Sequence, residues 1–192
     1  MKLELPTTRV TYKLPSILSI DEVQRIIKST GNIKHKTLLV VIYGAGLRVS
    51  EAVNLRVKDV DSSRMTIHIR CSKNRKDRYV ILSPVVLEHL RAYWKHCKFG
   101  DYIFSGNGSS HITTSTAARI YQKAKESAKI KKAGGVHALR HAFATHMLES
   151  GEDLFIIKQL LGHSSIHSTV RYLSFIPCKN KNVKSPIDQL SI

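Results

Sequence analysis

The spacing of apolar residues changes from a helical period to an alternating one only once along this chain, in residues 59–82. Apolar and polar side chains alternate at residues 65–70, and residues 79–82 are typical of a strand that returns along the first. The polar, basic run at residues 73–77 indicates a hairpin loop between them. The sequence therefore predicts one small sheet in a mixed α+β chain that is mainly helical.

Helical spacing accounts for most of the remaining sequence. Ser19 and Glu22 form a capping-box pattern, in which the serine satisfies a free backbone N–H and the glutamate reaches back. Gly44-Ala45-Gly46 breaks the second helix, so Arg48 follows a break. Pro84 suits the first position of a helix. The predicted helices are 20–29, 35–43, 47–55, 84–98, 113–129, 137–150, 154–161 and 165–174.

The two ends of the chain have weak periodicity. Residues 1–15 are predicted to be an extended leader, and residues 177–192 a tail that is either mobile or ordered only against a partner. The whole chain has 192 residues, of which 42% are hydrophobic. That composition is sufficient for one folded domain with a sizeable core.

The chain carries a large excess of positive charge. Its 31 lysines and arginines outnumber 14 acidic residues and give a formal net charge of +17. This excess favours a polyanionic partner, and nucleic acid above others, because phosphate contacts release condensed counterions. A solvated basic surface, ribosome binding or an anionic membrane would also fit the composition.

Cysteine usage and hydropathy argue against several other classes of protein. The 3 cysteines are far apart, contain no C-x-x-C pair, and fit neither a disulfide framework nor a cysteine zinc site. The longest apolar run, at residues 38–43, is far shorter than the roughly 18 residues that a membrane span needs. The N-terminus also lacks a signal-peptide pattern. We therefore expect a soluble protein of the reducing cytoplasm.

Two segments carry residues with catalytic potential, although each has a simple structural interpretation when taken alone. An arginine at a helix start, such as Arg48, usually lies at the surface or pairs with a nearby acid such as Glu51. His137 and Arg140 are three residues apart, share a helical face, and lie next to His141. The two histidines, four apart, also suggest zinc. No acid lies between them, however, no third ligand is evident, and the intervening arginine would repel the ion.

Two further segments are equally weak when taken alone. Lys73 is one more solvated lysine of a basic hairpin. His163 follows Gly162, which suits the end of a helix whose carbonyl groups the histidine caps. Tyr172, nine residues later, is by itself an amphipathic packing residue.

Together, in this order and spacing, the four segments resemble the tyrosine recombinase, or phage integrase, family over about residues 15–176. The run His137-Ala138-Leu139-Arg140-His141-Ala142-Phe143-Ala144-Thr145-His146 looks like the Xer branch of that family. The run Tyr43-Gly44-Ala45-Gly46-Leu47-Arg48-Val49-Ser50-Glu51 is similar to Xer proteins and integron integrases alike. The resemblance implies a mainly helical catalytic domain with a small antiparallel three-stranded sheet. It also implies site-specific DNA recombination through a 3′-phosphotyrosyl intermediate, without ATP, metal or another cofactor.

The resemblance assigns the bond-making and proton-transfer roles. Tyr172 is implied to be the nucleophile, and its hydroxyl, with an ordinary pKa of about 10, profits from a nearby base. His137 is the implied acceptor of that proton. Lys73 is implied to protonate the departing DNA 5′-oxygen. The phosphotyrosyl bond conserves the energy of the broken phosphodiester, so a second strand can rejoin without ATP.

The resemblance assigns the phosphate-binding roles to four other residues. Arg48 and Arg140 are implied to bind the phosphate as its negative charge grows, a task for which a planar guanidinium fork suits better than lysine. His163 is implied to add a hydrogen bond, and Glu51 to orient Arg48 or His137. We also expect contacts to the DNA backbone from other basic residues. The candidates are Arg75, Lys76, Arg78, Lys123, Lys125, Lys129, Lys131 and Lys132.

The resemblance also implies partners. We expect residues 16–176 to be the catalytic domain, without the N-terminal helical core-binding domain that most family members carry. The expected partner is double-stranded DNA, with self-association on it as a tetrameric synapse of two dimers and residues 177–192 open to exchange between protomers. The expected location is the nucleoid of a prokaryotic cytoplasm, from a cellular or phage gene. Two alternatives stay open: nicking and closing of one duplex as in type IB topoisomerases, and a non-catalytic DNA-binding fragment or regulator.

Overall fold

The computed structural model describes residues 16–70, 77–97, 100–106 and 110–175, and the following elements belong to those residues. The helices are α1 (Ile20–Lys28), α2 (Ile33–Gly44), α3 (Val49–Val53), α4 (Pro84–His96), α5 (Thr114–Ser127), α6 (His137–Glu149), α7 (Leu154–Leu161) and α8 (His167–Val170). The strands are β1 (Val60–Asp61), β2 (Thr66–Ile69) and β3 (Arg78–Ile81), and two 3-10 helices are Val57–Asp59 and Arg171–Phe175. The predicted leader 1–15, the tail 177–192 and the loop residues 71–76, with Lys73, Arg75 and Lys76, lie outside the described residues. Among the helices described, none combines the length and the apolar character that crossing a membrane requires.

Helix α1 begins as its sequence predicts. The Ser19 hydroxyl accepts a hydrogen bond from the backbone N–H of Glu22 at 3.2 Å, and the Glu22 carboxylate accepts one from the Ser19 N–H at 2.7 Å. This capping box supplies partners for two N–H groups that the first helical turn leaves without one. Val23 and Ile26 then face the core.

Helix α2 forms the centre of the helical core. Residues 37–42 are all buried, and the helix packs against α1, α3, α4, α5 and α6. A helix that is apolar around its whole circumference is stable only when other elements enclose it. The turn at its C-terminal end, residues 45–47, is buried as well. The residue that follows this turn, Arg48, therefore starts from a firmly held backbone.

The predicted antiparallel sheet is confirmed, with strand order β1-β2-β3. Ile67 of β2 lies opposite Val80 of β3, and both are buried. Along β3 the buried and exposed positions alternate, so Arg78 faces inward together with Val80, whereas Tyr79 faces solvent. The inner face of the sheet thus presents one guanidinium group among apolar side chains.

The structure departs from the predicted helix limits at two points that matter for function. The third helix starts at Val49 and not at residue 47, because Arg48 has the extended conformation of an N-cap (φ −69°, ψ 150°). The last predicted helix, 165–174, is divided into α8 and the 3-10 helix Arg171–Phe175. Tyr172 therefore lies on a tighter turn than the sequence predicts.

Candidate active site

Arg48 is positioned by the glycine turn before it and by Glu51 after it. Gly46 has a φ of +61°, and a Cβ there would lie 2.4 Å from the Phe143 ring, so only glycine fits. The Glu51 carboxylate accepts hydrogen bonds from the backbone N–H of Arg48 and from its Nη1, both at 2.8 Å. The Arg48 side chain remains 21% exposed. The Glu51 carboxylate thus fixes the position of the Arg48 guanidinium, and part of the side chain still faces solvent.

Arg140 lies in the first turn of α6 and is almost completely buried. Its Nη1 donates to the Gly46 carbonyl at 2.8 Å, and its Nη2 donates to the Leu161 carbonyl at 2.6 Å. The Nη2 atom also lies 3.3 Å from Nε2 of His163. Burial, and then the charge of Arg48, lower the pKa of Arg140 to about 10. The group therefore keeps its charge at neutral pH.

The end of α7 sets the position of His163. Gly162 terminates that helix with a φ of +61°, a conformation that suits glycine. Because Arg140 can only donate, Nε2 of His163 is the acceptor, and its Nδ1–H donates to the Thr169 hydroxyl at 2.9 Å. Burial, and then Arg140 and other arginines, lower the pKa of His163 to about 4. The ring is neutral at pH 7.

Tyr172 is 6% exposed, and its ring lies parallel to that of His163 with centroids 6.4 Å apart. Its hydroxyl is 3.0 Å from Nδ1 of His141. Burial raises the pKa of Tyr172, and the nearby charges of Arg140 and Arg171 oppose that rise. The side chain of His141 is exposed at the surface, but desolvation of its ring by the surrounding protein, and then the charges of His137 and Arg140, lower the pKa of His141. A neutral imidazole therefore stands next to the hydroxyl.

His141, and not the predicted His137, is the histidine that contacts Tyr172 in this structure. His137 lies one helical turn earlier in α6, and both histidines are exposed, so the 3.0 Å distance from His141 Nδ1 to the Tyr172 hydroxyl is what distinguishes them. In the sequence, His141 stands out only as a neighbour of Arg140 and as one of the two histidines that suggest zinc. The distinction depends on where the 3-10 helix of Tyr172 packs against α6, a contact between residues 31 positions apart.

Glu51 connects the arginines of the site. Arg78 donates from Nη1 and Nη2 to the two carboxylate oxygens of Glu51 at 2.9 and 2.8 Å, and Nη1 of Arg140 lies 3.8 Å from the same carboxylate. Burial raises the pKa of Glu51, but hydrogen bonds and charge from Arg78, followed by Arg48, bring it down to about 2. The cluster thus holds three guanidinium groups around one carboxylate, an excess of positive charge that suits an anionic ligand.

Two of the predicted DNA contacts do not fit where the structure places their side chains. The guanidinium of Arg78 is taken up by Glu51, and its side chain is 8% exposed. Lys125 is also buried, and its Nζ donates to the carbonyls of Lys132 and Gly134 at 2.8 and 3.4 Å. Lys132 is bound to Glu22 at 2.6 Å. The exposed candidates among the described residues are Lys123, Lys129 and Lys131.

The described part of the chain contains no cluster of three or more histidine, cysteine, aspartate or glutamate side chains able to hold a metal ion. The two histidines of the zinc interpretation belong to α6. The ring of His141 is directed toward the hydroxyl of Tyr172. The site is thus built of arginine, histidine and tyrosine around the carboxylate of Glu51, whose side chain is 10% exposed.

The lowered pKa of His163 predicts a loss of stability on acidification. Between pH 6.5 and about 4 the unfolded chain binds a proton that the folded chain excludes, so the free energy of unfolding should fall as the pH falls through this window. We expect the His163→Gln variant to lose about 1 kcal/mol less than the wild type between pH 7 and pH 4.5. This is less than the full pKa shift would give, because the ring is partly exposed.

Urea unfolding at several pH values measures this effect. His96→Gln, on the exposed side of α4, is the control variant and should keep the pH dependence of the wild type. An equal pH dependence in wild type and His163→Gln would contradict the prediction.

Comparison with known proteins adds independent findings. The model of the Phage integrase family matches residues 16–175. The putative integrase/recombinase y4qK of Sinorhizobium fredii is 42% identical over 187 residues, which are 97% of this chain and 61% of that protein. The crystal structure of XerA recombinase superposes with a TM-score of 0.79 at 32% identity, over 87% of this chain and 62% of that one.

A third similar structure was determined with DNA. It is the XerH site-specific recombinase bound to palindromic difH substrate in a post-cleavage complex, with a TM-score of 0.75 and 26% identity over 85% of this chain and 50% of that one. This chain thus spans about three fifths of y4qK and XerA, and half of the XerH chain.

Proposed function

The chain belongs to the phage integrase family, and on that premise we propose that it cuts and rejoins DNA through a covalent bond between Tyr172 and a DNA 3′-phosphate. The observation that carries the proposal is that a pair of arginines and a tyrosine hydroxyl next to a histidine lie together in one site. Arg48 and Arg140 converge on the Glu51 carboxylate, and the Tyr172 hydroxyl lies against a neutral imidazole beside them. The arginine pair suits a phosphate, and the contact between tyrosine and histidine suits a nucleophile that must lose a proton.

The two arginines are proposed to stabilise the charge that grows on the non-bridging oxygens. Attack by the Tyr172 oxygen forms a P–O bond to tyrosine and breaks the bond from phosphorus to the 5′-oxygen. Guanidinium donors whose positions are fixed before the reaction cost no reorganisation while this charge develops. Arg48 and Arg140 are fixed in this way, since each binds protein carbonyl or carboxylate oxygens as well.

The proton of the tyrosine hydroxyl is proposed to pass to a histidine of α6. His141 is the acceptor that the distance favours, and His137, one turn earlier, stays the acceptor that the family resemblance favours. Lys73 is proposed to protonate the 5′-oxygen that leaves. His163 is proposed to contact the phosphate, for which Nε2 must release the hydrogen bond from Arg140 and the ring must change tautomer, with its proton moved from Nδ1 to Nε2 and Nδ1 accepting from the Thr169 hydroxyl.

Substrate and assembly follow from the same premise. We propose that residues 16–176 act as a catalytic domain on double-stranded DNA, in assemblies of four protomers built from two dimers, with the tail 177–192 available for contact with a neighbouring protomer. The XerH structure with palindromic DNA supports a two-fold arrangement of protomers. The proposed location is the nucleoid in the cytoplasm.

Covalent capture tests the proposed reaction. The chain is incubated at low salt with nicked duplexes that carry a randomised core, and the mixture is denatured. A nick beside the cleavage site lets the short fragment that carries the released 5′-hydroxyl diffuse away, so the adduct accumulates. We expect a protein–DNA adduct that protease destroys, and sequencing of the trapped strand gives the target.

The same assay separates the alternatives. Binding of DNA without any adduct would contradict the proposed reaction and favour a non-catalytic DNA-binding role. Relaxation of supercoiled plasmid without recombinant products would favour nicking and closing of a single duplex.

The three exposed lysines among the predicted DNA contacts give an expected dependence of DNA affinity on salt. If Lys123, Lys129 and Lys131 each neutralise one phosphate, replacing all three by glutamine lowers the slope of log Kd against log salt by about 2 to 3. Fluorescence anisotropy at several salt concentrations measures this slope. Lys95→Gln, an exposed lysine of α4, is the control and should leave the slope unchanged. An unaltered slope in the triple variant would exclude these lysines from the interface.

A further inference from the structure

Arg78 joins three separate parts of the site, although the proposed reaction gives it no role. It is the first residue of β3, directly after the hairpin loop. Its Nη1 and Nη2 form a bidentate salt bridge with Glu51 of α3. Its Nε donates to the Leu160 carbonyl in the last turn of α7 at 2.8 Å. The side chain is 8% exposed, so these contacts, and not solvent, satisfy the guanidinium.

The C-terminal end of α7 gains a partner from each of three arginines. The Leu160 carbonyl accepts from Arg78, the Leu161 carbonyl from Arg140 at 2.6 Å, and the Gly162 carbonyl from Arg48 at 3.4 Å. The last carbonyls of a helix have no partner within it, and they form the negative end of its dipole. Three positive groups on three successive carbonyls therefore fix this end of α7, from which His163 follows.

Arg78 also explains why residue 162 is glycine. A Cβ at this position would lie 2.9 Å from Cδ and 3.0 Å from Nε of Arg78, so the arginine closely approaches the backbone of the turn. The Glu51 oxygens that bind Arg78 are the same two that bind the N–H and Nη1 of Arg48. The orientation of Arg48 thus depends on a carboxylate that Arg78 also binds.

We propose that Arg78 is a positioning residue, which holds Glu51 and the end of α7 so that Arg48 and His163 face the phosphate together. The proposal rests on the proposed function, because it gives these two side chains a common ligand. Arg78 itself does not touch the DNA in this proposal. Its effect passes through Glu51 on one side and through the turn at Gly162 on the other.

The charges around Glu51 give the proposal a measurable consequence. The groups that face this carboxylate are Arg48 at the start of α3, Arg78 on β3 and Arg140 on α6. Without Arg78, one of the groups that hold the pKa of Glu51 at about 2 is lost, while burial still raises it. The carboxylate then takes up a proton at a higher pH and releases the backbone N–H and the guanidinium of Arg48.

The test compares Arg78→Met and Arg78→Lys with the wild type in single-turnover adduct formation on a trapped nicked duplex, from pH 5 to pH 9. We expect Arg78→Met to react roughly tenfold or more slowly at pH 7.5, since small displacements of catalytic groups are costly, with Kd for the same duplex changed less than about twofold. Its rate should also fall on the acid side at a higher pH than in the wild type. Lysine keeps the charge but not the fork, so Arg78→Lys should regain the acid side of the profile and not the full rate.

Arg56→Met is the matched control, because Arg56 also binds a protein group, the Tyr102 hydroxyl at 3.2 Å, but outside the site. Its rate and pH profile should match those of the wild type. A wild-type rate and pH profile in both folded Arg78 variants would overturn the proposal. A loss of DNA affinity equal to the loss of rate would also overturn it, because Arg78 would then be a DNA contact.

A second measurement needs no DNA and separates this proposal from the proposed function. Carbon-13 NMR of the Glu51 carboxylate should show its titration moving to higher pH in Arg78→Met and staying near the wild-type position in Arg78→Lys. An unchanged titration in a folded Arg78→Met would overturn the proposal even if the wild type formed no adduct. If Arg78→Met does not fold, Arg78→Lys tests the proposal alone, and a full wild-type rate in that variant would overturn it. A wild-type chain that forms no adduct contradicts only the proposed function.

Discussion

Tyr172→Phe is expected to form no covalent adduct with any nicked duplex, while it still folds and binds DNA. The phenyl ring keeps the contacts with the rings of His163 and Phe175, whose centroids each lie 6.4 Å from that of Tyr172. The substitution removes one hydroxyl and its hydrogen bond to His141, which costs about 1 kcal/mol of stability. Denaturing gel electrophoresis of the trapped duplex measures the adduct. The loss should be complete, because no other atom of the residue can attack phosphorus.

The chain offers a matched control for this substitution in Tyr43→Phe. The Tyr43 hydroxyl lies 2.9 Å from Nδ1 of His146, so Tyr43 is also a tyrosine bonded to a histidine, although it is half-buried where Tyr172 is buried. Its replacement removes the same atom and the same type of hydrogen bond at another place on α6. Adduct formation should persist in this variant. An adduct of unreduced yield in Tyr172→Phe would show that a different residue is the nucleophile.

Local patterns predicted the parts of the fold that depend on neighbours in sequence. The capping box at Ser19 and Glu22, the break before Arg48 and the alternation in β2 and β3 all describe interactions within a few residues. These patterns also limited which side chains of α6 share a face. The confirmed mainly helical fold with a three-stranded antiparallel sheet was implied by the family resemblance.

Arg78 shows what local patterns leave open. In the sequence it belongs to a basic hairpin, which predicts a DNA contact, whereas the structure pairs it with Glu51, 27 residues earlier. One signal was available: the alternation that buries Val80 also puts Arg78 on the inner face of β3. A buried guanidinium needs a counter-charge, but the sequence does not say which carboxylate supplies it.

Local patterns do not distinguish which histidine contacts Tyr172, for a similar reason. His137 and His141 are four residues apart and lie on one face of α6, so helical spacing alone allows either of them to contact Tyr172. The choice depends on the approach of the 3-10 helix Arg171–Phe175, which packs on α6. The predicted last helix is divided at residue 171, and this division determines which position along α6 Tyr172 contacts.

Arg140→Lys is expected to lower the rate of adduct formation by roughly 10² to 10³, the usual cost of losing a fixed donor to a developing charge. One ammonium group cannot replace a planar fork that binds the Gly46 carbonyl, the Leu161 carbonyl and Nε2 of His163 together. The carbonyl that loses its partner adds a cost of about 1 to 3 kcal/mol in stability. Chemical denaturation therefore accompanies the kinetic measurement, and rates are compared at a temperature at which both proteins are folded. Arg56→Lys is the control outside the site and should react at the wild-type rate.

The pH dependence of this variant separates geometry from charge. The pKa of Arg140, about 10, leaves the wild-type guanidinium charged at pH 7 and at pH 8.5. A lysine buried at the same position meets the same desolvation beside Arg48 and Arg78, which lower the pKa of a cation. The rate of Arg140→Lys relative to the wild type should therefore fall further as the pH rises from 7 to 8.5. A constant ratio over that range would mean that lysine keeps its charge there, and the whole loss would then come from the missing fork. A rate equal to the wild type at both pH values would remove Arg140 from the set of phosphate-binding residues.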